Sequence, residues 1–151
     1  MFGFGKKKNG TVTKYHSNGE PESKIDYLDG YRHGPIRLWH ENGQKALEGE
    51  YWHGYEMGVF TTWHENGQKS AVIELKMDVQ TGDSTTWHEN GQMATHVKIV
   101  DGKPNGLHEA WHSNGQKREE IFYAIGIKHG TSKNWDEDGT LYLDNTYDNG
   151  T

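Results

Sequence analysis

The chain has no cysteine, only three prolines and no long apolar run. Without cysteine there are no disulfides and no thiolate metal sites, so nothing covalent or zinc-based staples the fold. No stretch approaches the ~20 apolar residues of a membrane-spanning helix. The lysines of MFGFGKKKNG are followed by no apolar segment of leader length, and Phe2 stands where N-myristoylation requires glycine. A cytoplasmic location is therefore expected. Aliphatic residues are scarce as well, since Leu, Ile, Val and Phe make up 24 of 151 residues. That falls below the ~20% at which disorder competes when net charge is also high, but the charge here is only −6 and aromatics reach 12%, with six Trp. These numbers predict one folded domain with a thin core.

What the sequence does contain is a period. WHENGQK occurs at 39–45 and again at 63–69, followed by WHENGQM at 87–93. YHSNGEP from Tyr15, WHSNGQK from Trp111 and WDEDGTL from Trp135 extend the register to six copies spaced 24 residues apart. Residues 1–9 read as a short N-terminal tail and 10–151 as the repeat domain. One glycine column follows Asn or Asp in every copy and includes Gly43, Gly67, Gly91 and Gly115; a second runs from Gly10 to Gly130. A third runs from Gly30 to Gly150 and is broken only by Asp78, a residue type that tolerates the left-handed region.

Asn-Gly is the strongest two-residue hairpin signal, because a type I′ turn needs positive φ at both central positions. Each repeat should therefore hold a hairpin, with segments such as DGYRHG (29–34) forming wider reversals into the next. The intervals between turns suit strands and not helices. The predicted fold is all-β: an elongated single-layer antiparallel meander of six 24-residue hairpin repeats, about twelve strands extending roughly 55 Å.

A tight Asn42-Gly43 loop sets Glu41 opposite Gln44, Trp39 opposite Ala46, Leu38 opposite Leu47 and Ile36 opposite Gly49. One face would then carry the Trp column over small residues. The other would collect Ile36, Leu38, Leu47, Tyr51, Phe60, Ile73, Leu75, Val97 and Ile121. The alternative is a loop one residue longer, with a bulge that exchanges faces on one strand and brings Trp39 to Leu47.

The aromatic residue four positions before an NG turn, the following Gln, a tyrosine and xDGxxHG together resemble the variant MORN repeat (membrane occupation and recognition nexus). YLDGYRHGPIRLWHENGQ (27–44) and YAIGIKHG (123–130) carry the resemblance, which spans essentially residues 10–151. It implies a single-layer elongated sheet, no enzymatic activity, and a role as a protein-interaction or lipid-associated module. Bacterial variants of this kind are often antitoxin-like, so neutralisation of a toxin or effector is one implied role, and a peripheral phospholipid-associated scaffold is the alternative.

Several chemistries are disfavoured by the residues themselves. His16, His40, His64, His88 and His112 recur, but equivalent positions lie two strands apart, roughly 10 Å, whereas a metal needs imidazole nitrogens at ~2.0–2.1 Å. No metal site and no cofactor are expected, and the histidines read as polar residues tolerated at hairpin ends. There is no GxSxG elbow and no phosphate loop, so no catalytic residues are assigned. Nucleic-acid binding needs clustered positive charge, which the acidic chain lacks outside Lys6, Lys7 and Lys8. The surface proposed for a protein partner is Trp39, Trp63, Trp87, Trp111 and Tyr51, because aromatic side chains dominate interface energetics. The open edge strands at the two ends also predict weak homo-dimerisation, through an edge or through the aliphatic face.

Overall fold

A computed structural model describes residues 7–151; the first six residues of the expected tail, including Lys6, lie outside the described residues. The strands are β1 (Gly10–Tyr15), β2 (Pro21–Leu28), β3 (Tyr31–Trp39), β4 (Lys45–Trp52), β5 (Tyr55–Trp63), β6 (Lys69–Lys76) and β7 (Val79–Trp87). They continue as β8 (Met93–Val100), β9 (Lys103–Pro104), β10 (Gly106–Trp111), β11 (Lys117–Ala124), β12 (Ile127–Trp135) and β13 (Leu141–Tyr147). All belong to one open sheet in which sequence neighbours pair antiparallel, except that β9 and β10 both pair with β8, and β1 and β13 are its edges among the described residues. The expected meander is what forms. Pro104 has no amide to donate, and the strand it occupies is broken into β9 and β10, which makes thirteen segments out of twelve strand positions.

The two kinds of turn exchange the roles expected of them. At the NG sites only the glycine is left-handed, with Gly43 at φ +80°. The Gly43 amide donates to the His40 carbonyl at 2.9 Å and the His40 amide to the Gln44 carbonyl at 2.8 Å. The loop is thus Glu41-Asn42-Gly43, a type I turn closed by a left-handed glycine. Asn42 keeps right-handed geometry because its Oδ1 accepts the Gln44 amide at 3.0 Å, a side-chain turn within the turn.

The tight two-residue turns sit instead at the other end of the strands. Asp29-Gly30, His53-Gly54, Met77-Asp78, Asp101-Gly102, Ile125-Gly126 and Asn149-Gly150 are left-handed at both positions. They are flanked by pairs such as Leu28 with Tyr31 and Trp52 with Tyr55, the two-residue hairpin geometry. Asp78 takes the glycine's place at φ 64°, and its Oδ1 accepts the Glu56 amide at 2.6 Å.

The longer NG loop changes the register locally. Trp39 pairs with Lys45, not with Ala46 as expected, and a bulge at Ala46 then restores Leu38 opposite Leu47 and Ile36 opposite Gly49. Because the bulge absorbs the extra loop residue, the faces do not exchange. The same shift recurs at Trp63, Trp87, Trp111 and Trp135.

Alternation along the strands divides the sheet into two unlike faces. The core face holds Ile36, Tyr51, Phe60 and Leu75, all buried, with Ile25, Leu38, Leu47 and Ile73 packed against them. The Phe60 ring lies over Gly49, so close that a Cβ there would come within 2.7 Å of Phe60 Cζ. Towards the C-terminus Ile99, Ala110 and Ile121 stay buried on this face, but one column turns polar. The positions equivalent to Ile36 and Phe60 become Ser84, His108 and Ser132, paired with Val97 and Ile121.

Candidate functional site

The NG turns form a ladder of side chains from one repeat to the next. His16, His40, His64, His88 and His112 each place Nε2 2.8–2.9 Å from the carbonyl of the next repeat's Trp, from Trp39 to Trp135. A carbonyl only accepts, so Nε2 carries the proton in every case. The asparagines do the same one step outward. Asn18, Asn42, Asn66 and Asn114 donate Nδ2 to the carbonyls of Glu41, Glu65, Glu89 and Glu137, and Asn90 donates to Ser113, at 2.5–2.9 Å. Gln92 and Gln116 lie against the next turn's glycine, where a Cβ at Gly115 or Gly139 would meet Oε1 at 2.6 and 2.7 Å. Gly43, Gly67, Gly91 and Gly115 are thus held by left-handed φ, and at Gly67, Gly91 and Gly115 also by the approach of the preceding Gln. The histidines, read from sequence as tolerated polar residues, are instead the bonds that join repeats.

Trp39, Trp63, Trp87 and Trp111 are half-buried on the face opposite the core, each paired with Lys45, Lys69, Met93 or Lys117. Indole and ammonium alternate along this row except where Met93 takes the place of a lysine. Lys45 Nζ lies 5.4 Å from the Trp63 ring and Lys117 Nζ 5.7 Å from the Trp111 ring, within cation–π range. Lys45 also reaches Glu48 at 2.9 Å, and that bond, helped by Arg37, holds the Glu48 carboxyl below its usual range. Burial alone would lower the Lys117 ammonium, but its bonds to Glu109 (2.6 Å) and Glu120 (2.9 Å) hold it above its ordinary value. Lys69 has Thr61 and Val72 where those carboxylates stand in the other repeats. Lys69, Trp87, Gln68 and Gly91 line a shallow hollow of about 420 Å³.

Tyr51 is apart from this row, on the core face and only 7% exposed. Its hydroxyl donates to Glu56 at 2.8 Å and accepts from Arg32 at 3.1 Å, and its ring meets Phe60 edge-on at 5.9 Å. Burial, reinforced by the bond to Glu56, raises its pKa. The side chain that faces outward is its neighbour Trp52, which is 54% exposed. Trp52 contacts the His33 ring at 4.7 Å and the His53 ring at 5.0 Å, with Tyr31 and Tyr55 exposed beside it. Sequence reasoning missed this cluster because Trp52 stands outside the repeating Trp column. Its place directly after Tyr51 in a strand was the available signal.

Further along the open face, Val59, Leu107 and Phe122 are exposed, each next in sequence to a core-face residue. A second hollow of about 410 Å³ opens there against Lys76, Val79 and Thr81. On the core face His108 Nδ1 is buried 3.2 Å from Glu119 Oε1 without a well-formed hydrogen bond. Burial outweighs the attraction of Glu119 and lowers the His108 pKa. Among the described residues no three His, Asp or Glu side chains converge to hold a metal. No helix there is long and apolar enough to cross a membrane.

These features define a repeat scaffold in which hairpins are stacked edge to edge into a single sheet and bonded turn to turn. The MORN repeat variant model matches residues 8–29, 32–53, 104–124 and 128–149, more than half of the sequence, and the chain belongs to that family. Each match spans one hairpin centred on an NG or DG turn, and the unmatched hairpins between them, 56–77 and 80–101, have the same turn geometry. A comparison with curated proteins finds no match.

Proposed function

We propose that the chain is a non-enzymatic scaffold that binds a protein partner on its open face. The observation carrying this reading is the segregation of exposed apolar side chains. Trp52, Tyr55, Val59, Val79, Leu107 and Phe122 all lie opposite the core, on the same face as the Trp–Lys row, and Val79 lines the second hollow. A face of aromatic and aliphatic groups rimmed by charges has the make-up of an interface. Lys69, lacking the carboxylates that engage Lys45 and Lys117, suits an acidic side chain of the partner. A toxin or effector is the partner class the family resemblance implies, and co-expression with candidate toxins tests that narrower form.

The direct experiment compares affinity capture by the wild type with capture by Trp52→Ser/Tyr55→Ser and Trp87→Ala. Circular dichroism verifies that each variant is folded. Proteins retained by the wild type and lost by folded variants support the reading; equal capture by all three refutes it. A peripheral phospholipid role predicts salt-sensitive sedimentation with anionic vesicles. Of the lysines beside the Trp row, Lys45 and Lys117 are engaged by carboxylates.

A further inference from the structure

The first five NG turns each bond to the repeat that follows, and the sixth departs at the residues that make those bonds. In WDEDGTL the histidine is replaced by Asp136 and the asparagine by Asp138. Inside the turn nothing is lost. The Asp136 amide donates to the Thr140 carbonyl and the Gly139 amide to the Asp136 carbonyl, both at 2.9 Å. The Thr140 amide donates to Asp138 Oδ1 at 2.8 Å, as the Gln44 amide does to Asn42 at 3.0 Å. Aspartate therefore keeps the acceptor that the turn needs for itself. It removes the N–H that asparagine would extend to a following repeat.

The surface those donors would meet exists in the molecule, at the β1 edge. The carbonyls equivalent to the accepting Trp and Glu carbonyls are those of Tyr15 and Ser17, and no side chain of the described residues donates to either. A second copy laying β1 along β13 would continue the meander in register. Unpaired edges favour such growth, and a head-to-tail contact of this kind generates an open filament, not a closed dimer. At the junction, however, two carboxylates would face two carbonyl oxygens, groups that only accept. We propose that the sixth turn is a stop: Asp136 and Asp138 bar a second copy of this chain from adding head to tail at the β13 edge.

The test is sedimentation velocity over a range of micromolar concentrations on three proteins, the 151-residue chain and two variants of it. Asp136→His/Asp138→Asn restores the donors that five other turns of this chain already carry, so its fold should be retained, and circular dichroism verifies it. Asp136→Ala/Asp138→Ala removes the charges and supplies no donor. The donor-restored variant should grow with concentration beyond dimers, with half-assembly at a concentration about tenfold or more below that of the other two, the effect of two hydrogen bonds gained. The alanine variant should sediment as the wild type does. The proposal is overturned if the donor-restored variant sediments like the wild type, if the alanine variant grows equally, or if the wild type itself forms open-ended assemblies.

Discussion

Removing one rung of the turn ladder has a cost that the geometry sets. His64 is half-buried and donates Nε2 to the Trp87 carbonyl at 2.9 Å. His64→Ala deletes that bond and leaves the carbonyl to be satisfied by water, for a net loss of about 0.5–1.5 kcal/mol. Loss of imidazole packing brings the expected total to about 1–2 kcal/mol. Equivalent histidines are two strands apart, roughly 10 Å, far enough for their effects to add. His40→Ala/His64→Ala/His88→Ala should then lose about 3–6 kcal/mol, a large part of the ~5–15 kcal/mol available to a domain of this size. Urea unfolding followed by tryptophan fluorescence at neutral pH reads the difference. With a slope of about 2 kcal/mol/M, the single variant shifts its midpoint by about 0.5–1 M. A triple variant that unfolds at the wild-type midpoint would refute the ladder as a source of stability. A triple variant that loses no more than one single variant would refute the independence of its rungs.

Three further perturbations test the packing. Gly49→Ala should destabilise by about 1–3 kcal/mol, because the new methyl would strike the face of the Phe60 ring; calorimetry of the variant measures it, and an unchanged transition would contradict the contact. Ile125→Gly should stabilise by about 1 kcal/mol, since a β-branched residue held at φ 47° and 63% exposed has more strain than burial to lose; urea midpoints decide the sign. His108 has its pKa lowered by burial, so the unfolded state takes up its proton first and stability is lost as pH falls below about 6.5. His108→Leu should therefore flatten the stability profile on the acid side of about pH 6.5; a variant whose profile falls as steeply as the wild type's would exclude His108 as the cause.

The sheet, its meander and its core face were legible in the sequence because they rest on period and alternation, which act at every residue. The turn types were not. Asn-Gly and Asp-Gly both permit a type I′ turn, and dipeptide preference alone cannot say that Asn42 will give its side chain to Gln44 and the next repeat, leaving only Gly43 left-handed. From that one difference follow the three-residue loop, the bulge at Ala46 and the pairing of Trp39 with Lys45. The Trp column was legible as a surface, and alternation set Tyr51 on the aliphatic face, which leaves its neighbour Trp52 on the other; that signal is carried by one strand position alone and not by the repeat. The histidine column was visible but unexplained, since its acceptors are backbone carbonyls 23 residues away, which leave no mark on composition or spacing.

The ladder also accounts for why some positions repeat strictly and others drift. An internal turn must give bonds to the repeat after it and receive them from the repeat before it. A change in one turn therefore disturbs two boundaries, and the histidine and asparagine persist through all five turns that have a successor. Strand positions are not coupled in this way, because the backbone pairs whatever side chains it carries. On the core face the position of Ile36 passes through Phe60, Ser84 and His108 to Ser132, limited only by what the neighbouring columns can bury. On the open face the position of Val59 is Pro35, Asp83 and Leu107 in other repeats, with no neighbour to satisfy. Turn residues are thus fixed by the array itself and carry little information about a partner. The strand positions of the open face are free to differ, and in the scaffold reading proposed above Trp52, Val59 and Phe122 are the departures from the repeat that a partner would meet.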